Sequence, residues 1–210
     1  GILFLDELPE FSRAALETLR QPLEDREVTV SRVEATVTYP ANFQLVAAMN
    51  PCPCGHFPDL ARCRCTEGQI TRYLQKISGP LLDRIDLCVE ASPVTYGDIR
   101  GGGENEASGA IRARVEQARE IQKERFMEEN IRCNGEMAGR HIRKYCVLWK
   151  EEETFMEEIF EKLALSARMH DRILKVARTT ADLAGASEIR LSDLCEAVSY
   201  VKSREKFWGN

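Results

Sequence analysis

The chain has 210 residues, 43% of them hydrophobic and 30% charged, with a net charge of −5. That is ordinary globular composition, enough for one large domain or two small ones, and it excludes a chain that coats nucleic acid by charge alone, though not a local basic groove. No apolar run reaches membrane-span length and no signal-peptide pattern occurs, so the chain reads as cytoplasmic, without a membrane partner, and its eight cysteines as thiols or metal ligands rather than disulfides.

Ile2-Leu3-Phe4-Leu5 is an unbroken apolar run closed by Pro9, the pattern of a parallel strand covered on both faces. Asp6 and Glu7 follow at its carboxyl end, where open α/β sheets place their ligands. This is the Walker B pattern, in which the Asp helps to hold Mg²⁺ and the Glu polarises the attacking water. An acidic turn at a helix start is the alternative. No G-x-x-x-x-G-K-[ST] phosphate loop occurs, and the chain starts inside a strand, which reads as the C-terminal part of a longer protein.

Ser12 is a helix N-cap candidate, followed by a stripe of Ala15, Leu16, Leu19 and Leu23. Glu27 to Pro40 alternates on both sides of Arg32–Glu34 and predicts a hairpin. It is either a structural edge or a device that carries Arg32 to a phosphate backbone. Phe43–Met49 predicts a second buried strand ending at Asn50-Pro51, a position from which Asn50 orients a water or simply opens a turn. Cys52, Cys54, Cys63 and Cys65 form two C-x-C pairs around Pro and Gly, with His56 able to replace one cysteine. They read as a structural Zn²⁺ site stapling a loop too short for its own core, with free thiols as the alternative.

Thr66 to Gln69 matches a capping box, and Ile70, Tyr73, Leu74 and Ile77 line the helix that follows. Ser78-Gly79-Pro80 interrupts it, and residues 81–87 lead into a strand expected to reach Glu90. Arg84 either crosses a subunit boundary to a neighbour's phosphate or pairs with Asp83 or Asp86. Gly101-Gly102-Gly103 marks a linker at 97–106 between a first domain, 1–96, and a helical domain, 107–210. The helical part has stripes at Ile111, Val115, Ala118 and Phe126, at Phe155, Ile159 and Leu163, at Ile173, Val176, Ala177 and Ala184, and at Leu191, Leu194, Val198 and Val201. Gly185 stops the third of these and Ser192 is the expected cap of the last. Arg168 stands at a helix start, within reach of phosphate or merely on a helix face.

Leu3–Phe11, Ala48–Gly55, Ser78–Leu87, Leu165–Arg168 and Ala177–Leu183 together resemble the YifB/ComM family of magnesium-chelatase-like AAA+ ATPases over essentially the whole chain. The resemblance implies the C-terminal half of a P-loop AAA+ parallel-sheet core, with an inserted hairpin and Cys-rich loop, followed by a helical lid. It implies Walker B at Asp6 and Glu7, sensor 1 at Asn50, an arginine finger acting in trans at Arg84, sensor 2 at Arg168, and a pore hairpin whose Arg32 contacts DNA. ATP with Mg²⁺ is the implied cofactor, bound through Asp6, Asn50 and Arg168. A homo-hexamer remodelling DNA by helicase or branch-migration activity during recombination of transforming DNA is the implied assembly. Without the phosphate loop, the chain alone is expected to bind ATP weakly or not at all and to self-associate weakly. The alternatives are a chelatase subunit driving metal insertion into a porphyrin and a non-catalytic zinc-stapled interaction module.

Overall fold

The structure is a computed structural model that describes residues 1–32, 35–92, 94, 96–100 and 106–208. The chain divides into two compact units. Unit 1 holds Gly1–Asp86 and Glu205–Asn210, and unit 2 holds Leu87–Arg204. Together they comprise an α/β core with a hairpin and a Cys-rich loop, then an all-α bundle. Among the described residues no helix is long and apolar enough to cross a membrane.

In unit 1, β1 (Ile2–Leu5) pairs in parallel with β4 (Gln44–Ala47), Leu3 opposite Leu45 and Leu5 opposite Ala47. The pairing continues past the strands: Ala48 N–H donates to Leu5 O at 2.9 Å, and Leu8 N–H donates to Ala48 O at 3.1 Å. One face of this pair lies toward a core of Leu8, Leu16, Ile77, Leu81 and Leu82, with Leu5 and Met49 packed against it. The other face is open. Ile2 is 72% and Phe4 58% exposed, so the expectation of two covered faces fails, because no described element packs over that side.

Ser12 caps α1 (Arg13–Thr18) by accepting from Ala15 N–H at 3.2 Å. The expected single stripe breaks at Leu19, and α2 (Arg20–Asp25) follows. Pro22 has no N–H to return to Thr18, which accounts for the break. β2 (Glu27–Ser31) and β3 (Thr36–Pro40) form the antiparallel hairpin, with Val30 opposite Val37 and Thr29 opposite Thr38. Thr–Thr and Ser–Thr hydroxyl contacts at 3.1 and 2.8 Å tie one face, and Val30, Val37 and Tyr39 stand exposed on the other. Thr66 and Gln69 form the expected capping box at the start of α3 (Glu67–Leu74). Ser78 caps the short α4 (Gly79–Leu82) and also donates to Glu17 on α1. No strand forms over residues 87–90: among the described residues β1 and β4 pair only with each other, and an extended segment becomes a strand only through a ladder.

Unit 2 contains α5 (Tyr96–Arg100), α6 (Ser108–Arg125), α7 (Gly139–Tyr145), α8 (Lys150–Lys162), α9 (Ala167–Leu183) and the first part of α10 (Leu191–Trp208). Residues 101–105, the centre of the expected linker, lie outside the described residues. Its core draws Phe126, Ile159, Ile173, Ala177, Leu194 and Val198 from the predicted stripes, joined by Leu174 of α9 and by Met137 from the segment before α7. The stripe on α6 is covered only toward its end: Ala118 and Phe126 are buried, Ile111 and Val115 exposed. Gly185, at φ +66°, ends α9 as expected, in a conformation costly for a residue with a Cβ. Ser192 is not the cap of α10. The helix starts one residue earlier, and Asp193 reaches back to accept Arg190 N–H at 2.9 Å and its guanidinium at 3.0 Å.

α9 carries the main polar feature of the bundle. Asp182, fully buried, accepts from both terminal nitrogens of Arg125 (2.7 and 2.5 Å), from Arg178 Nε (3.1 Å) and from Asn134 (2.8 Å). Arg178 donates onward to the carbonyls of Ser187 and Ala186, which closes the turn after α9. Burial depresses the Arg178 pKa and the Asp182 charge opposes it.

Candidate metal centre and strand-end site

The two parallel strands end side by side, Leu5 opposite Ala47, so Asp6 and Glu7 follow β1 directly while Asn50 follows β4 three residues on, its side chain beside Gly55. Asp6 Oδ1 accepts Glu7 N–H at 2.8 Å, which fixes the Asp6 carboxylate over its own turn. Glu7 sits at φ 50°, ψ 46°, a left-handed conformation uncommon for a residue with a side chain. The bonded pair Leu8–Ala48 and a buried Pro9 hold it there. Both carboxylates are exposed at the surface of unit 1. Tyr73 on α3 is a residue the sequence reading used only as helix face. Burial raises its phenol pKa, and the negative charges of Glu10, Cys52 and Glu7 push it further.

Directly after Asn50 comes the cysteine loop. Cys52, Cys54, Cys63 and Cys65 bring their sulfurs within 4.8 Å of one another. Cys52 Sγ lies 3.4 Å from Cys54 Sγ and 3.8 Å from Cys63 Sγ, and Cys54 and Cys63 are 3.6 Å apart. A tetrahedron with Zn–S bonds of about 2.3 Å has edges of about 3.8 Å, so the sulfurs stand at the spacing such a centre needs. The chain makes that spacing with turns: Gly55 N–H returns to Cys52 O, and Cys63 N–H to Asp59 O. Gly55 adopts φ +79°, with the Asn50 side chain 3.8 Å from where a Cβ would stand.

Backbone amides face the sulfurs. Phe57 N–H donates to Cys52 Sγ at 3.4 Å. The amides of His56 and Arg64 draw the Cys54 thiol down to about 6, while loss of solvent and its sulfur neighbours push Cys65 up to about 12. Four thiolates cannot share this volume without a cation. The group can therefore coordinate a metal, with all four cysteines as ligands. His56 is exposed and is not part of the converging set, so no histidine is needed to complete it.

The remaining predicted residues are placed as follows. Arg84, just after α4, donates to Pro80 O at 2.6 Å and pairs with Glu24 of α2, a partner the sequence reading did not name. Its side chain is only 14% exposed. Arg32 lies exposed at the hairpin end, its N–H donating to Ala35 O at 2.9 Å; Val33 and Glu34 beside it lie outside the described residues. Arg168 is the second residue of α9 in unit 2, exposed, after the Ser166 cap that accepts from Met169 N–H at 3.2 Å.

Residues 1–99 match the family described as magnesium chelatase, subunit ChlI, and residues 105–201 match the C-terminal family of the same subunit. The chain is 45% identical over 201 residues to competence protein ComM of Haemophilus influenzae, and 46% and 44% identical to the uncharacterized proteins YifB of Salmonella typhimurium and Escherichia coli. The chain belongs to the magnesium-chelatase-like ComM/YifB family of AAA+ proteins. Each alignment covers 95% of this chain but only 38–39% of the relative, so the chain spans less than two-fifths of the length of these ComM and YifB proteins.

Proposed function

We propose that this chain is the Walker B-to-lid part of a hexameric AAA+ ATPase of the ComM/YifB kind, which couples ATP hydrolysis to helicase or branch-migration work on DNA. The observation that supports this reading is the parallel pair itself: Asp6 and Glu7 follow β1 directly, and Asn50 follows β4 three residues on at the same end of that pair. In that arrangement Asp6 helps hold Mg²⁺ with ATP, Glu7 polarises the attacking water and Asn50 orients it, work done by positioning and electrostatics. Arg168 supplies sensor 2. Arg84 acts on a neighbouring subunit's γ-phosphate, leaving Glu24 to do so. The exposed hairpin carries Arg32 into the central pore against the DNA backbone. The relative named a competence protein supports recombination of transforming DNA as the setting.

The four-cysteine loop holds Zn²⁺ as a structural metal in this reading. The ion supplies cross-linking rather than chemistry, since four thiolates leave no open position. The test of the DNA assignment uses a chain of the relatives' full length on a labelled four-way junction. ATP-dependent strand displacement is expected, and Arg32→Ala is expected to lose displacement while ATP turnover in the absence of DNA persists. A protein that turns over ATP but moves no DNA strand would return the assignment to the chelatase alternative.

A further inference from the structure

The cysteine loop touches more than its own ligands. Phe57, whose N–H donates to Cys52 Sγ, sets its ring edge-to-face against Phe207, centroids 6.5 Å apart and planes at 68°. The neighbouring Trp208 donates its indole N–H to Leu74 O at 3.2 Å, the last carbonyl of α3, and packs on the core cluster of unit 1. α3 is itself launched from the loop, since its capping residue Thr66 follows Cys65 directly. Both aromatic anchors of the chain's last turn therefore rest on structure whose ends are metal ligands or their neighbours.

Residues 52–65 have little else to hold them. Cys52 is the one buried residue among them, Leu60 is 81% exposed, and the turns close through single backbone bonds. A loop with no core of its own depends on its cross-link for a fixed shape. We propose that metal occupancy of the four-cysteine centre controls the docking of the last described helical turn, Glu205–Trp208, onto the rest of unit 1. The loaded loop presents Phe57 to Phe207 and holds α3 in place for Trp208. The stripped loop withdraws the first contact and loosens the second, and the terminal turn leaves its seat. This rests on the reading of the cysteine cluster as a metal site.

The 210-residue chain with Trp149→Phe leaves Trp208 as its single tryptophan. Bound zinc is measured directly, then stripped with a chelator while emission and acrylamide quenching of Trp208 are recorded. Removal is expected to red-shift the emission and raise quenching, and restored zinc to reverse both. Phe207→Ala should raise quenching with zinc content unchanged, which separates docking from metal binding. Far-ultraviolet circular dichroism retained after stripping excludes global unfolding as the source of the signal. Zinc bound and removed with Trp208 emission unchanged would overturn the coupling and leave the metal site standing. A chain that takes up no zinc at all would remove the metal reading on which the coupling rests.

Discussion

At the residue scale, Asp182 has the most at stake. It is a buried carboxylate holding two arginines and an asparagine, and removing it leaves Arg125 and Arg178 facing each other in the interior. Asp182→Ala is therefore expected to destabilise the bundle by about 3–5 kcal/mol, read from urea unfolding, because an uncompensated buried charge is the costly case. Glu129 makes a prediction with a pH signature. The Lys144 hydrogen bond, helped by Tyr145, holds its carboxyl below the usual value against the pull of lost solvent. The folded value lies below the unfolded value of about 4.3, so this contribution is present above that pH and is lost as pH falls through the folded value. Glu129→Gln should be less stable than the parent at neutral pH, with the gap closing in acid. A gap independent of pH would assign the effect to packing instead.

At the element scale, what could be read from the sequence was what local chemistry dictates. Ser12, Thr66 with Gln69, and Gly185 mark helix ends through bonds within four residues, and each of those ends stands where the motif puts it. The cysteine cluster was legible for a similar reason, since two C-x-C pairs on a Pro- and Gly-containing loop have few ways to avoid one another. What was not legible depends on partners far along the chain. Ile2 and Phe4 read as covered because an unbroken apolar strand has that pattern, but covering needs a second layer, which the pattern does not supply. Residues 87–90 had strand-like composition and no ladder. Arg84 pairs with Glu24 across sixty positions, a separation that sequence spacing does not signal. Arg178 and Asp182 stand four apart on α9, a spacing that signals a pair, but Arg125 and Asn134 carried no signal of joining them. The cysteine loop has its own prediction: Cys52→Ser or Cys63→Ser should abolish a stoichiometry of about one zinc per chain. Asp182→Ala should leave that ratio unchanged, as the two sites belong to separate compact units with separate cores.

At the scale of the whole molecule, two units fold around separate cores, one carrying the strand-end carboxylates and the cysteine centre, the other carrying Arg168 on α9. Family membership joins them to ComM and YifB, whose chains are more than twice as long. Whether Glu7 polarises the water that cleaves ATP, as proposed, is read from steady-state ATP turnover in a chain of the relatives' full length. The parent is compared with Glu7→Gln, with and without branched DNA. Turnover is expected to rise with DNA and to fall by at least about 10²-fold in the variant, the scale at which loss of one positioned polar group at a reacting centre is felt. A Glu7→Gln protein that hydrolyses ATP as fast as its parent would contradict it.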